Sequence, residues 1–151
     1  MLKALVVEDE LDIKQLLVED LEGKGYRVRE AGNGVAAMQR IGEDLPDIIF
    51  ADVLMPMMDG FALIETLRKN PETADIPVVL VTALNSHDTQ QRAKKLGVKY
   101  HITKPWEPWA LDMVIEEALK PSRRTPNGQA KLQVYPPKLT VHGKPLNNAS
   151  Q

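Results

Sequence analysis

The chain has 151 residues, 43% of them apolar, a formal charge of -2 and no cysteine. That length fits one domain with a tail, and the missing thiols exclude a disulfide framework, thiol catalysis and a cysteine-based zinc site. Residues 1–120 carry 14 basic and 21 acidic side chains, which argues against a nucleic-acid-binding surface on this body.

The first element is a strand over residues 2–7, nearly all apolar, ending in Glu8, Asp9 and Glu10. The N-terminus turns acidic at once, so no secretory leader is expected, and no apolar run is long enough to span a bilayer. With cysteine absent, this fits a cytoplasmic chain. Ile13, Leu16, Leu17 and Leu21 then fall at helical spacing, with Asp12 near the helix start and Gly23 and Gly25 at its end. Residues 26–31 form a second strand, whose Arg27 and Arg29 alternate outward and place it near a sheet edge.

Asn33-Gly34 is a turn signal, followed by a short helix carrying Val35, Ala36, Met38 and Ile41. Residues 47–51 read as a buried strand that ends in Asp52. Asp59-Gly60 opens a third helix with Phe61, Ile64 and Leu67 on one side, closed by Asn70-Pro71. Residues 76–81 are a continuous apolar strand ending in Thr82-Ala83. Ser86 caps a polar helix that runs to Leu96 and Gly97. A fifth strand over residues 98–102 leads into Thr103-Lys104-Pro105-Trp106. Pro108 starts the last helix, with Leu111, Val114, Ile115, Ala118 and Leu119 toward the core.

Five strands alternating with five helices predict right-handed crossovers and a parallel sheet covered on both faces. The fold class is therefore α/β, a doubly wound five-stranded parallel sheet. The flavodoxin-like order 2-1-3-4-5 is one of two common solutions and would put the first and third strands side by side. Beyond Lys120 the composition changes. Residues 121–151 hold five prolines, two glycines, five basic residues and no acid, the pattern of a Pro-rich basic tail or linker. Two weakly alternating stretches, 131–135 and 138–142, could pair as a short hairpin, although Pro136-Pro137 between them makes a poor turn.

Four polar signals fall at the C-terminal ends of four buried strands: Glu8/Asp9, Asp52, Thr82 and Lys104. Singly, each has a bland account as a turn former, a helix cap or a solvated charge. Topology brings them to one sheet edge, where ligands of such folds collect. Crowded carboxylates repel and raise one another's pKa, and a hard divalent cation relieves this. An all-oxygen donor set suits Mg²⁺ better than zinc. A carboxylate can also serve as a nucleophile toward phosphorus, with Lys104 and Thr82 as donors to phosphoryl oxygens. No G-x-G-x-x-G follows the first strand, so a dinucleotide site is not expected.

The segments VVEDE (6–10), ADVLMPMMDG (51–60), VLVTA (79–83) and HITKPW (101–106) closely resemble response-regulator receiver domains of two-component signalling, CheY-like in fold. The resemblance covers residues 1 to about 120. It implies that Asp52 is the phosphoacceptor and that Glu8, Asp9, Asp52 and the backbone carbonyl of Leu54 hold Mg²⁺. It implies that Lys104 contacts the phosphoryl group, Thr82 swings toward it, and Lys104-Pro105 is a cis peptide. Implied partners are a sensor histidine kinase or phosphotransfer protein, and a homodimer or output protein at the face of the fourth helix, fifth strand and fifth helix. Neither nucleic acid nor a membrane is implied for these residues. Such modules are signalling proteins rather than enzymes.

One position departs from the family pattern. The switch aromatic normally lies three residues before the lysine, and here that residue is His101. It either follows Thr82 inward or stands solvated on an edge strand. Tyr100 should point to the opposite face. Leu54 and Leu84, each two residues past a site residue, offer no polar group to position water, so slow loss of phosphate is expected. Two alternatives stand beside the receiver reading: a pseudo-receiver that binds without phosphorylation, and an Mg²⁺-dependent phosphatase. Leu54 in place of a second acid argues against the phosphatase. Trp106, Trp109, Met55, Met57 and Met58 fit core or loop packing better than a docking surface.

Overall fold

The computed structural model describes residues 1–55, 57–83, 86–120, 133–135, 140–141 and 144–145. Five strands and five helices alternate: β1 (Lys3–Val7), α1 (Leu11–Gly23), β2 (Arg27–Ala31), α2 (Gly34–Glu43), β3 (Ile48–Ala51), α3 (Gly60–Lys69), β4 (Val78–Thr82), α4 (His87–Lys95), β5 (Tyr100–Thr103) and α5 (Pro108–Ala118). Three short strands follow: β6 (Gln133–Tyr135), β7 (Thr140–Val141) and β8 (Lys144–Pro145). The main sheet runs β2-β1-β3-β4-β5-β6, with every pair parallel. The expected 2-1-3-4-5 order holds, extended by one strand.

That sixth strand revises two expectations. Of the two stretches considered as a hairpin, the described residues 133–135 and 140–141 do not pair with each other. β6 instead pairs with β5, and β7 pairs with β8 in antiparallel fashion. In consequence β5 is an interior strand here.

The continuous apolar runs have a simple cause, because each inner strand is covered on both sides. Ala4, Val6, Ile48, Phe50, Val79, Val81 and Ile102 pack with α1 and α5. Leu5, Val7, Ile49, Ala51, Val78 and Leu80 pack with α2, α3 and α4. The period-two alternation that is hidden in the sequence reappears as two cores.

Helix starts follow local chemistry. Asn33 and Asp59 cap α2 and α3 by accepting from the N–H groups of Ala36 and Ala62, each at 2.8 Å. Ser86 Oγ accepts from Thr89 N at 3.2 Å and caps α4. α4 buries only Thr89 and Ala93 of its own residues. The Arg92 guanidinium lies 4.3 Å from the Phe61 ring centroid and ties α4 to α3.

Two helix faces differ from expectation. Leu16 and Val35 are exposed, while Val18 and Ala37 take the inward positions. The 3.6-residue period tolerates either pair, and packing against the sheet decides. No helix among the described residues is long and apolar enough to cross a membrane.

Candidate phosphoryl and metal site

The chain delivers acids to the C-terminal edge of the sheet by backbone pairing. Asp52 N donates to Val7 O at 3.0 Å, and Glu8 N donates to Ala31 O at 3.0 Å. The ladder therefore continues one residue past β3 and past β1, and both acids leave the sheet side by side. Both are buried: Glu8 is 2% exposed and Asp52 5%. Such burial of two carboxylates needs compensation.

Lys104 supplies it. Its Nζ lies 2.9 Å from Asp52 Oδ2, contacts Glu8 Oε1, and stands 3.7 Å from Glu10 Oε1. Lys104 follows β5, and its own N–H donates to Thr82 O at 3.2 Å. Lys104-Pro105 is a cis peptide, as the resemblance implies. Behind the turn, Trp106 is buried and its Nε1 donates to Asp20 Oδ2 at 3.0 Å.

Titration follows this packing. Burial raises the Glu8 carboxyl, Lys104 pulls it down and Asp52 pushes it up, and together they leave it at about 7. Burial alone would lower Lys104, but its contacts with Glu8 and Asp52 outweigh that and hold it above its ordinary value. One carboxylate oxygen from each of Glu8, Glu10 and Asp52 lies within 4.8 Å of the other two. This donor set is all oxygen and suits a hard divalent cation.

Glu10 was not among the expected ligands. It stands at the N-cap of α1 without capping it, so its carboxylate is free to turn back toward Lys104. The signal was the third acid of the run, two residues from Glu8. Asp9 is exposed and is not one of the three clustered carboxylates. Its N–H donates to Glu8 Oε2 at 3.1 Å. Leu54 N donates to Asp52 Oδ1 at 3.3 Å, and the Leu54 side chain is 62% exposed at the mouth of the site. Leu84 lies outside the described residues.

Gly60 is a positioning residue that sequence reasoning treated only as a helix opener. A Cβ there would stand 2.2 Å from Asp52 O, so only glycine lets α3 begin this close behind the acid.

Thr82 is buried at the end of β4, facing the side of α4. His101 is buried too, at 1% exposure, and pairs in register with Leu80. Burial lowers its pKa, and a hydrogen bond with the Thr82 backbone opposes that. The reading of His101 as a solvated residue on an edge strand does not hold, because the side chain is buried and β5 is paired on both sides. Tyr100 takes the other face, and its OH donates to Glu117 O at 3.0 Å. Trp109, Met55 and Met58 are partly buried against the cores, while Met57 is exposed at a φ of 69°.

Residues 4–116 match the response regulator receiver domain family, and the chain belongs to that family. It is 34% identical over 125 residues to a probable transcriptional regulator, ycf27, of Cyanophora paradoxa, covering 83% of this chain and 50% of that one. It is 31% identical over 150 residues to the phosphate regulon transcriptional regulatory protein PhoB of Pseudomonas aeruginosa, covering 93% and 64% respectively. The chain thus spans about half the length of the ycf27 regulators it matches. Among solved structures, chemotaxis protein CheY4 of Vibrio cholerae superposes with a TM-score of 0.75 at 29% identity, over 79% of this chain and 99% of that one. The signal receiver domain of a Syntrophus aciditrophicus histidine kinase gives 0.75 at 31% identity, over 94% and 99%.

Proposed function

We propose that this receiver domain accepts a phosphoryl group on Asp52 from a phosphohistidine donor, a sensor histidine kinase or phosphotransfer protein, in the cytoplasm. The P–N bond breaks as the Asp52 carboxylate oxygen bonds to phosphorus, and the imidazole leaves with the electron pair. Mg²⁺ held by Glu8, Asp9, Asp52 and the Leu54 carbonyl, with Glu10 beside them, would neutralise charge on the transferring group. Lys104 would follow a phosphoryl oxygen, and the Thr82 hydroxyl would donate to another. The altered face at α4, β5 and α5 would then change partners, a second copy or an output protein. The Pro-rich residues beyond β6 would lead toward that output. Two relatives named as transcriptional regulators extend beyond the matched span, which supports an output of that kind.

The observation that carries this reading is the ion pair of Lys104 with Asp52 at 2.9 Å inside a buried acidic cluster. Incubation with Mg²⁺ and acetyl phosphate tests it. The expected result is one phosphoryl adduct per chain, mapped to Asp52 and absent in Asp52→Asn. Continuous turnover would instead indicate a phosphatase, and no adduct a pseudo-receiver.

A further inference from the structure

β6 covers what would be the open edge of the sheet. Gln133, Val134 and Tyr135 pair with Tyr100, His101 and Ile102. An uncovered β5 would present a row of unpaired N–H and C=O groups, a template for another extended segment. The occupant is small, three paired residues. Its anchor is Tyr135, 4% exposed and set in the same core as Trp106, Leu111 and Val114. Residues 119–132 connect it to α5, long enough that closing the loop sets only a weak constraint.

A physical path joins this strand to Asp52. Thr82 ends β4 at the site, and its carbonyl accepts the Lys104 N–H. The Thr82 backbone lies close enough to the His101 ring to favour its protonated form. His101 is paired with Leu80 on one side and with Val134 on the other. Its Nε2 is buried with no hydrogen-bond partner among the described residues. A buried polar atom left unpaired is costly, so the covered arrangement holds His101 in an unfavourable place. The Thr82 backbone is the contact that offsets this. Drawing Thr82 toward Asp52 would weaken that contact and leave the covered state poorer, whereas loss of β6 would admit water to the ring.

We infer that β6 is a resident occupant of the outer edge of β5 and that its docking is antagonistic to phosphorylation of Asp52. The inference rests on the acyl-phosphate reading above. Docked β6 belongs to the unphosphorylated state and keeps the β5 edge from other extended segments. Phosphorylation loosens it. Linkage makes the effect reciprocal, so weakening β6 must favour the phosphorylated state by the same factor.

The test uses the full chain with Mg²⁺ and beryllofluoride, an acyl-phosphate mimic. Amide exchange of Val134 and Tyr135 should accelerate by about tenfold on binding, with β1 and β3 unchanged. Tyr135→Ala and Val134→Pro should each tighten beryllofluoride binding several-fold, and circular dichroism should show the main fold intact. The exchange measurement on wild type needs neither variant to fold. Bound beryllofluoride with unchanged exchange at 134–135 would overturn this inference alone and leave the phosphoacceptor assignment standing. Failure of the wild-type chain to bind beryllofluoride at all would overturn both.

Discussion

Lys104 Nζ lies 2.9 Å from Asp52 Oδ2, and the same ammonium contacts Glu8. One cation thus compensates two buried carboxylates. Removing one member of such a group leaves unpaired charge in the interior, at a cost of about 3–5 kcal/mol. Lys104→Ala should therefore destabilise the metal-free chain strongly in urea denaturation. Mg²⁺ replaces the missing charge and should recover part of the loss, because a ligand that binds only the folded state stabilises it. An equal loss with and without Mg²⁺ would show that the cation does not sit among these acids.

The Glu8 carboxyl titrates at about 7 in the fold, against an ordinary 4.5. Between those values the native state binds more protons than the unfolded one, so metal-free stability should fall as pH rises from 4.5 to 7. A shift of that size corresponds to at most about 3 kcal/mol. His101 acts oppositely, because its lowered pKa means that stability drops as pH falls below 6.5. The difference between wild type and Glu8→Gln isolates the carboxyl. Denaturation midpoints across this window should converge at low pH, and parallel profiles would refute the assignment.

Most of this site was legible because its residues occupy strand ends, and strand ends are set by apolar runs. Ile48, Ile49, Phe50 and Ala51 are buried on both faces of the sheet, so the position of Asp52 follows from the run itself. Where the run is weak, the boundary moves. β5 was expected over residues 98–102 and lies at Tyr100–Thr103, because Val98 N instead donates to Ala93 O at 2.9 Å and closes α4. Glu10 was overlooked because its carboxylate is placed by where α1 begins, and helix starts are ambiguous when three acids precede them. β6 was expected as a strand, but with a different partner. The weak alternation of residues 131–135 marks a strand, but nothing local shows that it pairs with the edge of β5 and not with residues 138–142.

Gly60 and Gly42 form a matched pair. A Cβ at Gly60 would meet Asp52 O at 2.2 Å and Val53 Cα at 3.1 Å, both backbone atoms that cannot turn aside. At Gly42, within α2, nothing lies within 4 Å. Gly60→Ala should cost about 1–3 kcal/mol by overpacking and should weaken Mg²⁺ binding, since relief requires moving Asp52. Gly42→Ala should be stabilising by about 0.5–1 kcal/mol, because alanine suits a helix interior better. Chemical denaturation with an Mg²⁺ titration reads both. Tolerance of Gly60→Ala would mean that α3 does not press on the acid.

Leu54 stands 62% exposed at the mouth of the site, with its N–H donating to Asp52 Oδ1. An apolar side chain there sheds water and offers none of the groups that orient it for attack. Leu54→Asn supplies an amide at the same place and should speed loss of phosphate by about tenfold or more. The decay of phosphorylated protein, followed by mass spectrometry, gives the rate directly. Unchanged decay would mean that access of water is controlled elsewhere.

Trp106 Nε1 donates to Asp20 Oδ2 at 3.0 Å, linking the turn after Lys104 to the C-terminal half of α1. The indole is buried, so this N–H requires a partner, and a hydrogen bond to a carboxylate contributes about 1.5–3 kcal/mol. Asp20→Ala should lose about that much, while Asp20→Asn keeps a neutral acceptor and should lose less. The bond also fixes the turn Lys104-Pro105-Trp106, whose first residue reaches Asp52. Asp20→Ala should therefore lower the rate of phosphorylation by acetyl phosphate in the protein that remains folded, and Asp20→Asn should restore most of it. The same stability loss with an unchanged phosphorylation rate would confine this contact to holding α1 against α5.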